Sequence, residues 1–329
     1  MRPPLVRPRG IGEPFLKVER NALGGIRYRS HSRKGPEQVM LEQKSSLILD
    51  VDRLGRIADE RRNEFSAAEP YPHIVIDEFL EPAVVEALQS EFPAPDAPLA
   101  WRRNDTTDQG GQVAQANKLG FSDERMLGPT IRSLFWDLNS GGVLKFLERL
   151  TSQKDLVSDP HFFGGGIHQS MPGAVLALHA DFQRHPVFPW TRKLNLILFL
   201  NSDWDDRWGG HLELWDRQME HCVHRIAPVA NRCVIFRTDK DTYHGHPDPL
   251  RCPEGVTRKS MATYYYTAED PEFGHRGDGE GQSTLWQRRP TDAPMPKWRT
   301  GRLATLARKV MYKLRGPSPP SGDIGANEQ

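Results

Sequence analysis

The spacing of apolar positions changes character several times along this 329-residue chain. Residues 1–45 show no apolar periodicity and scatter Gly, Pro and Arg, which predicts a disordered, basic lead-in. Order is expected from about Ser46, where "LILDVDRLGRIADERRNEF" reads as a short apolar segment running into a charged helix. "YPHIVIDEFLEPAVVEALQSEFP" reads as strand, turn and helix, with Val84, Val85, Leu88 and Phe92 at helical spacing and Pro93 as the stop. A polar, glycine-containing stretch from Arg102 to Asn117 follows. In "MLGPTIRSLFWDLNSGGVLKFLERLTS", Leu134, Phe135 and Leu138, then Leu144, Leu147 and Leu150, predict two helices broken at Gly141-Gly142 and packed on a sheet.

From His161 onward the chain turns to short apolar runs, aromatics and frequent turns: "GAVLALHADF", "LNLILFLN", "HLELWD", "CVHRIAP", "RCVIFRT" and "MATYYYT". Strand-length runs at this spacing predict a double-sheet barrel or jelly roll. The expected fold class is therefore α+β with a mainly β core, a double-stranded β-helix carrying supporting helices on one sheet. The division along the chain is a lead-in at 1–45, a helical support region at 46–158, the jelly-roll domain at 159–268 and a polar tail at 269–329. Within that tail "GRLATLARKVMYKLRG" reads as a basic amphipathic helix, with Leu303, Leu306, Val310 and Leu314 on one face.

Charge adds mainly exclusions. The 44 basic and 43 acidic side chains leave a net charge of +1, so no overall field draws the chain to nucleic acid, and none is expected as a partner. No window approaches the roughly 18 uninterrupted apolar residues of a spanning helix. Cys222, Cys233 and Cys252 form neither a CxxC pair nor an even set, which predicts structural thiols in a reducing, cytoplasmic setting.

Candidate chemistry begins in "LALHADFQRHP", where an imidazole and a carboxylate stand two positions apart in an apolar run. Burying both costs free energy unless each finds a partner. Strand alternation would put His179 and Asp181 on one face with Val175 and Ala177, opposite Leu176, Leu178, Ala180 and Phe182. Such a pair supplies two ligands of a 2-His-1-carboxylate site, which leaves open positions on ferrous iron. The third ligand would be a downstream histidine among His211, His221, His224, His244 and His246, with His244 favoured because it follows the strand "CVIFRT". Further on, "TRKSMATYYYT" puts Arg258 and Ser260 on one face, a planar fork and a hydroxyl suited to a carboxylate.

These residues, in this order, resemble the Fe(II)- and 2-oxoglutarate-dependent oxygenases, in particular their prolyl-4-hydroxylase-like branch. The likeness runs through "GGGIHQSMPGAVLALHADF", "RKLNLILFLNSDWDDRWGGHLELWD", "IAPVANRCVIFRT" and "YHGHPDPLRCPEGVTRKSMATYYYT". The resemblance implies iron ligation by His179, Asp181 and His244 in preference to His246, and an Arg-x-Ser seat, Arg258 and Ser260, for the distal carboxylate of 2-oxoglutarate. It also implies a glycine turn at Gly209-Gly210 and, because Asp181 is present, oxidation of a C–H bond rather than halogenation. The chain departs from the pattern at Ser170, where several prolyl hydroxylases carry a tyrosine contacting the co-substrate. His168, Lys193 and Asn195 are candidates to supply that contact, and Ser170 and Asn195 are taken as co-substrate residues.

The activity so implied is hydroxylation of an unactivated C–H bond of a peptide, small molecule or glycan, with O2 and 2-oxoglutarate consumed and succinate and CO2 released. Fe(II) is the implied metal and ascorbate the implied reductant. Two rivals remain at this level. One is a cupin-like, non-redox metalloenzyme, an isomerase or hydrolase, in which Arg258 pairs with a core acid. The other is an inactive metal-binding module whose basic tail helix docks elsewhere.

Overall fold

Two strands, β1 (Lys17–Arg20) and β2 (Ile26–Arg29), pair antiparallel within a first unit, residues 1–46. The computed structural model describes the backbone of these strands and residues 47–292 other than 104, 109–110 and 269–283. Sequence reading had expected no regular element before residue 46. Each strand is only four residues long, too short to register as periodicity. The expected amphipathic helix in the tail lies outside the described residues.

The second unit starts at Leu47. Helix α1 (Val51–Ala67) begins at Asp50, whose carboxylate accepts from the Asp52 and Arg53 amides and buries Leu54, Ala58 and Phe65 along one stripe. Strand β3 (His73–Ile76) leads into α2 (Pro82–Glu91), which opens with proline. The polar stretch after it is not a loop. It forms β4 (Arg102–Arg103), β5 (Thr106–Thr107) and the nine-residue β6 (Val113–Phe121). The lysine, asparagine and glutamine of β6 hid the strand, whose Lys118 lines a polar cavity.

Helices α3 (Pro129–Leu138) and α4 (Gly141–Thr151) follow. The break falls at Asn139–Ser140, one step before the glycines, and Ser140 caps α4 by accepting from the Val143 amide. Gly142 is there for packing: a Cβ on it would stand 2.8 Å from Val51 Cγ1, at the contact between α1 and α4. The remaining strands are β7 (Leu156–Ser158), β8 (Gly166–Ala180), β9 (Trp190–Phe199), β10 (Leu212–Trp215), β11 (Cys222–Ile226), β12 (Cys233–Arg237), β13 (His244–His246), β14 (Arg258–Ala268) and β15 (Leu285–Trp286).

The strand order β11-β10-β13-β8-β14-β9-β12-β3 is antiparallel throughout. The long β8 joins two layers. Its first half pairs with β14 and its second half with β13, while β6 runs along its other edge. This is the jelly roll. Alternation then sorts the side chains. Leu194, Leu196, Leu198, Met261 and Tyr265 join the core made with the helices. Phe199, Val234 and Phe236 face Leu212, Leu214 and Ile226 between the layers. The supporting helices thus pack on one sheet and leave the inner face of the roll for polar groups.

Candidate metal centre and co-substrate pocket

The inner face closes on a cavity of about 180 Å³ lined by, among others, Lys118, Ser170, His179, Asp181, His244 and Arg258. One ligand atom each of His179, Asp181 and His244 lies within 4.8 Å of the others, and all three side chains are buried. The strand pairing β8–β13 sets His244 directly opposite His179. Simple alternation does not hold at the end of β8. The strand stops at Ala180, so Asp181 lies just past it, and Leu176 and Phe182, rather than Val175 and Ala177, share the cavity with the pair.

Both imidazoles are oriented by their own backbone. The Nδ1 of His179 bonds the Ala177 carbonyl at 2.9 Å and that of His244 bonds the Thr242 carbonyl at 3.0 Å. A carbonyl only accepts, so in the neutral ring Nδ1 carries the proton and Nε2 presents its lone pair. Those lone pairs face Asp181: Nε2 of His179 is 3.6 Å from Oδ1, and Nε2 of His244 is 3.3 Å from Oδ2. Three electron-rich atoms converging in a buried space repel one another unless a cation sits among them. Burial, and then the neighbouring His244, push His179 below the ordinary imidazole range, so it is available as a neutral donor.

Asp181 is itself held in place. Burial pushes its carboxyl up, but the Arg192 guanidinium, His244 and the hydrogen bonds around it outweigh that and hold it well below the usual carboxylate range. Arg192 Nη2 lies 3.0 Å from Asp181 Oδ2, and Asn195 Nδ2 donates to the same oxygen at 2.8 Å. Arg192 Nε in turn donates to Asn195 Oδ1 at 2.8 Å. The guanidinium carbon stands 3.4 Å from the ring centre of Tyr264 and 4.8 Å from that of Phe182, two perpendicular rings that both meet the cation.

Sequence reading missed Arg192 and offered Lys193 instead. The β9–β14 register explains why: Tyr265 pairs with Leu194 and Tyr266 with Arg192, so a bulge at Lys193 turns Arg192 to the face occupied by Asn195. Lys193 does not line the cavity. Asn195, taken from sequence as a co-substrate residue, lines the cavity and makes its one side-chain donation to Asp181.

The far side of the cavity is cationic. Arg258 is 7% exposed, its Nε donates to the Gly210 carbonyl at 2.6 Å, and its guanidinium carbon lies 4.8 Å from the Phe199 ring centre. None of the ion pairs among the described residues involves it, and burial alone pushes it down to about 9. Ser260 and Ser170 line the same space. His246 lies there too, 3% exposed, with neither ring nitrogen hydrogen-bonded. Of the other histidine candidates, His211 pairs with Asp206 at 2.7 Å, His221 with Asp216 at 3.2 Å, and His224 meets His73 edge to face. Among the aromatics, Tyr264 and Phe182 line the cavity, whereas Trp204 and Trp208 pack with Leu250 and Cys252. Cys222, Cys233 and Cys252 are all free thiols, and none lines the cavity.

Gly210 shows how tightly the arginine is seated. Its φ is +73°, and an added Cβ would come 2.6 Å from Leu250 Cδ2 and 3.1 Å from Arg258 Cδ. The Gly210→Ala variant is expected to lose about 1–3 kcal/mol of stability and to bind anionic ligand more weakly, checked by denaturant titration and calorimetry.

Comparison with known families bears on this geometry at one decisive point. Residues 165–266 match the sequence profile of the 2OG-Fe(II) oxygenase superfamily. Residues 165–266 form a 2OG-Fe(II) oxygenase domain. The matched segment contains the triad, Arg192, Asn195 and the Arg258–Ser260 seat; β6 lies outside it. No curated protein matches the chain. Solved structures similar in fold include the prolyl hydroxylase of Trichoplax adhaerens in complex with a hypoxia-inducible-factor peptide (15% identity, 66% of this chain and 91% of that one, TM-score 0.47). Others are a prolyl-4-hydroxylase of Pseudomonas putida (16% identity, 66% and 100%, TM-score 0.42) and HygX of Streptomyces hygroscopicus with nickel, 2-oxoglutarate and hygromycin B (13% identity, 63% and 86%, TM-score 0.42).

The residues of the oxygenase domain fit the two groups its superfamily implies. Two imidazole Nε2 atoms and one carboxylate, converging in a buried space, suit a ferrous ion. A buried guanidinium without a carboxylate partner suits the far end of a keto dicarboxylate.

The same burial makes a prediction about acid. His168, His179 and His246 are each pushed below the ordinary imidazole range, foremost by burial. In the unfolded chain each takes a proton below about pH 6.5, whereas in the fold each resists it, so protons favour unfolding. The metal-free protein is therefore expected to lose stability progressively as pH falls from about 6.5, read from urea midpoints at pH 8, 6 and 5.

Proposed function

We propose that this oxygenase is a hydroxylase of the prolyl-4-hydroxylase-like kind, with His179, Asp181 and His244 as its iron ligands and Arg258 and Ser260 as its 2-oxoglutarate seat. The observation that carries this reading is Arg258: a buried guanidinium without an acid, in the cavity that also holds the triad. It also disfavours the non-redox reading, which required Arg258 to pair with a core acid.

When bound, Fe(II) and 2-oxoglutarate supply the oxidising chemistry: one oxygen atom of O2 enters a substrate C–H bond, the other enters succinate, and CO2 leaves. The protein's part is orientation. Thr242 and Ala177 carbonyls fix the two imidazoles. Arg192 and Asn195 hold Asp181 ionised and aimed at the centre. Arg258, with Ser260 and Ser170 beside it, receives the distal carboxylate, so the keto acid enters in one direction. Phe182 and Tyr264 form an apolar wall that keeps water from the reacting face. The substrate is an organic molecule carrying an unactivated C–H bond, a peptide, small molecule or glycan; ascorbate serves as reductant, and the three free thiols suit a cytoplasmic setting.

Purified protein with Fe(II), ascorbate and 2-oxoglutarate is expected to release succinate, stimulated by peptide, glycan or small-molecule substrates in a screen. A protein that binds no 2-oxoglutarate and turns over equally well with Zn(II) would refute the reading.

A further inference from the structure

Strand β6 was invisible in the sequence and lies outside the oxygenase profile, yet it brings a cation into the cavity. In the β6–β8–β14 register, Ser170 stands opposite both Lys118 and Arg258, so the three occupy one rung of three adjacent strands. Residues on one rung point to the same face. Lys118 and Arg258 are therefore two strand spacings apart, roughly 10 Å at Cα, and both flank the Ser170 hydroxyl in the cavity. On the next rung Gly120, His168 and Ser260 are aligned, and a Cβ on Gly120 would stand 3.1 Å from His168 Cδ2. The missing side chain at 120 lets the imidazole lie beside Lys118.

None of the ion pairs among the described residues involves Lys118. Burial, and then the Arg258 charge, push the Lys118 ammonium down to about 8, and Asp181 is the one acid whose field opposes this. His246, with both ring nitrogens unpartnered, lies in the same field, its nearest charges being Arg258 and Lys118. A buried guanidinium, a partly buried ammonium and an unsatisfied imidazole at one end of a cavity are unfavourable in the empty protein, and they become favourable around an anion.

We propose that Lys118 is the second cation of the co-substrate seat, taking one oxygen of the distal carboxylate while Arg258 takes the other. This rests on the function proposed above and deepens it. Arg258 has its Nε committed to the Gly210 carbonyl, which leaves its terminal nitrogens for the anion; Lys118 approaches from the opposite side of Ser170. Lys118 is a specificity residue in this arrangement, since a keto acid without a distal carboxylate would leave both cations unmet.

The test is calorimetric binding of 2-oxoglutarate to protein loaded with Ni(II), a redox-silent ion, without turnover. Lys118→Met is expected to weaken 2-oxoglutarate binding by about 10- to 100-fold, the loss of one charge-assisted contact, with Ni(II) affinity within about twofold of wild type. Its ligand-free melting temperature should not fall, because a desolvated, unpaired cation has been removed, and Lys118→Arg should recover most of the affinity. Unchanged 2-oxoglutarate affinity in Lys118→Met, or a parallel loss of Ni(II) binding, overturns the assignment while leaving the proposed function intact. Wild-type protein that binds no 2-oxoglutarate overturns both.

Discussion

The Asp181→Ala variant is expected to lose metal-dependent turnover by roughly a thousand-fold or more, and to destabilise the metal-free fold at the same time. The first effect follows from removing the single carboxylate among the three converging ligands. The second follows from Arg192, which is 1% exposed and whose charge is met by Asp181. Breaking a buried pair from one side leaves the other charge desolvated, at a cost of about 3–5 kcal/mol. The contacts with Phe182 and Tyr264 recover at most about 2 kcal/mol of that, so the loss dominates. The two effects separate in the double variant Asp181→Ala/Arg192→Leu, which should regain most of the stability and none of the Ni(II) affinity. Metal binding by calorimetry and unfolding by urea read them independently; a single variant as stable as wild type would mean that Arg192 is satisfied elsewhere.

Arg258→Leu should do the reverse for stability. Binding of 2-oxoglutarate is expected to fall about 100-fold or more, since a charge-assisted contact to the distal carboxylate in a dry site is lost. The ligand-free protein should be at least as stable as wild type. A guanidinium pushed down to about 9 by burial carries roughly 4–5 kcal/mol of unfavourable desolvation, more than the Phe199 contact (about 2 kcal/mol) and the Gly210 hydrogen bond (about 1 kcal/mol) return together. A variant that loses stability with unchanged co-substrate affinity would make Arg258 a structural residue. The pairing of lost binding with retained or increased stability is the signature of a site whose strain is relieved by its ligand.

Several features were legible before any coordinates. The strand-length runs after His161 read correctly because each carries one apolar face, and that face is what builds the core between helices and sheet. His179 and Asp181 stood out because polar groups inside an apolar run are costly without a purpose, and His244 because it follows the strand "CVIFRT". Arg258 and Ser260 stood out as a fork and a hydroxyl on one face, and they do line the cavity with the triad.

Other features were hidden for physical reasons. β6 reads as polar because its inner face meets a charged cavity and not a greasy core. Arg192 reaches Asp181 only through a bulge at Lys193, and period-two counting cannot anticipate an extra residue. The glycines at 141 and 142 looked like a helix break, but Gly142 instead makes the close contact of α4 with Val51.

By itself the sequence determined which residue types carry the chemistry, their order, and the rolled antiparallel sheet that would gather them, since all of that is written in composition and alternation. Tertiary structure alone decided which cations share a rung, which imidazole nitrogens face inward and which guanidinium steadies the carboxylate. Those depend on register, and register is set by bulges and long-range strand pairing that no local spacing encodes.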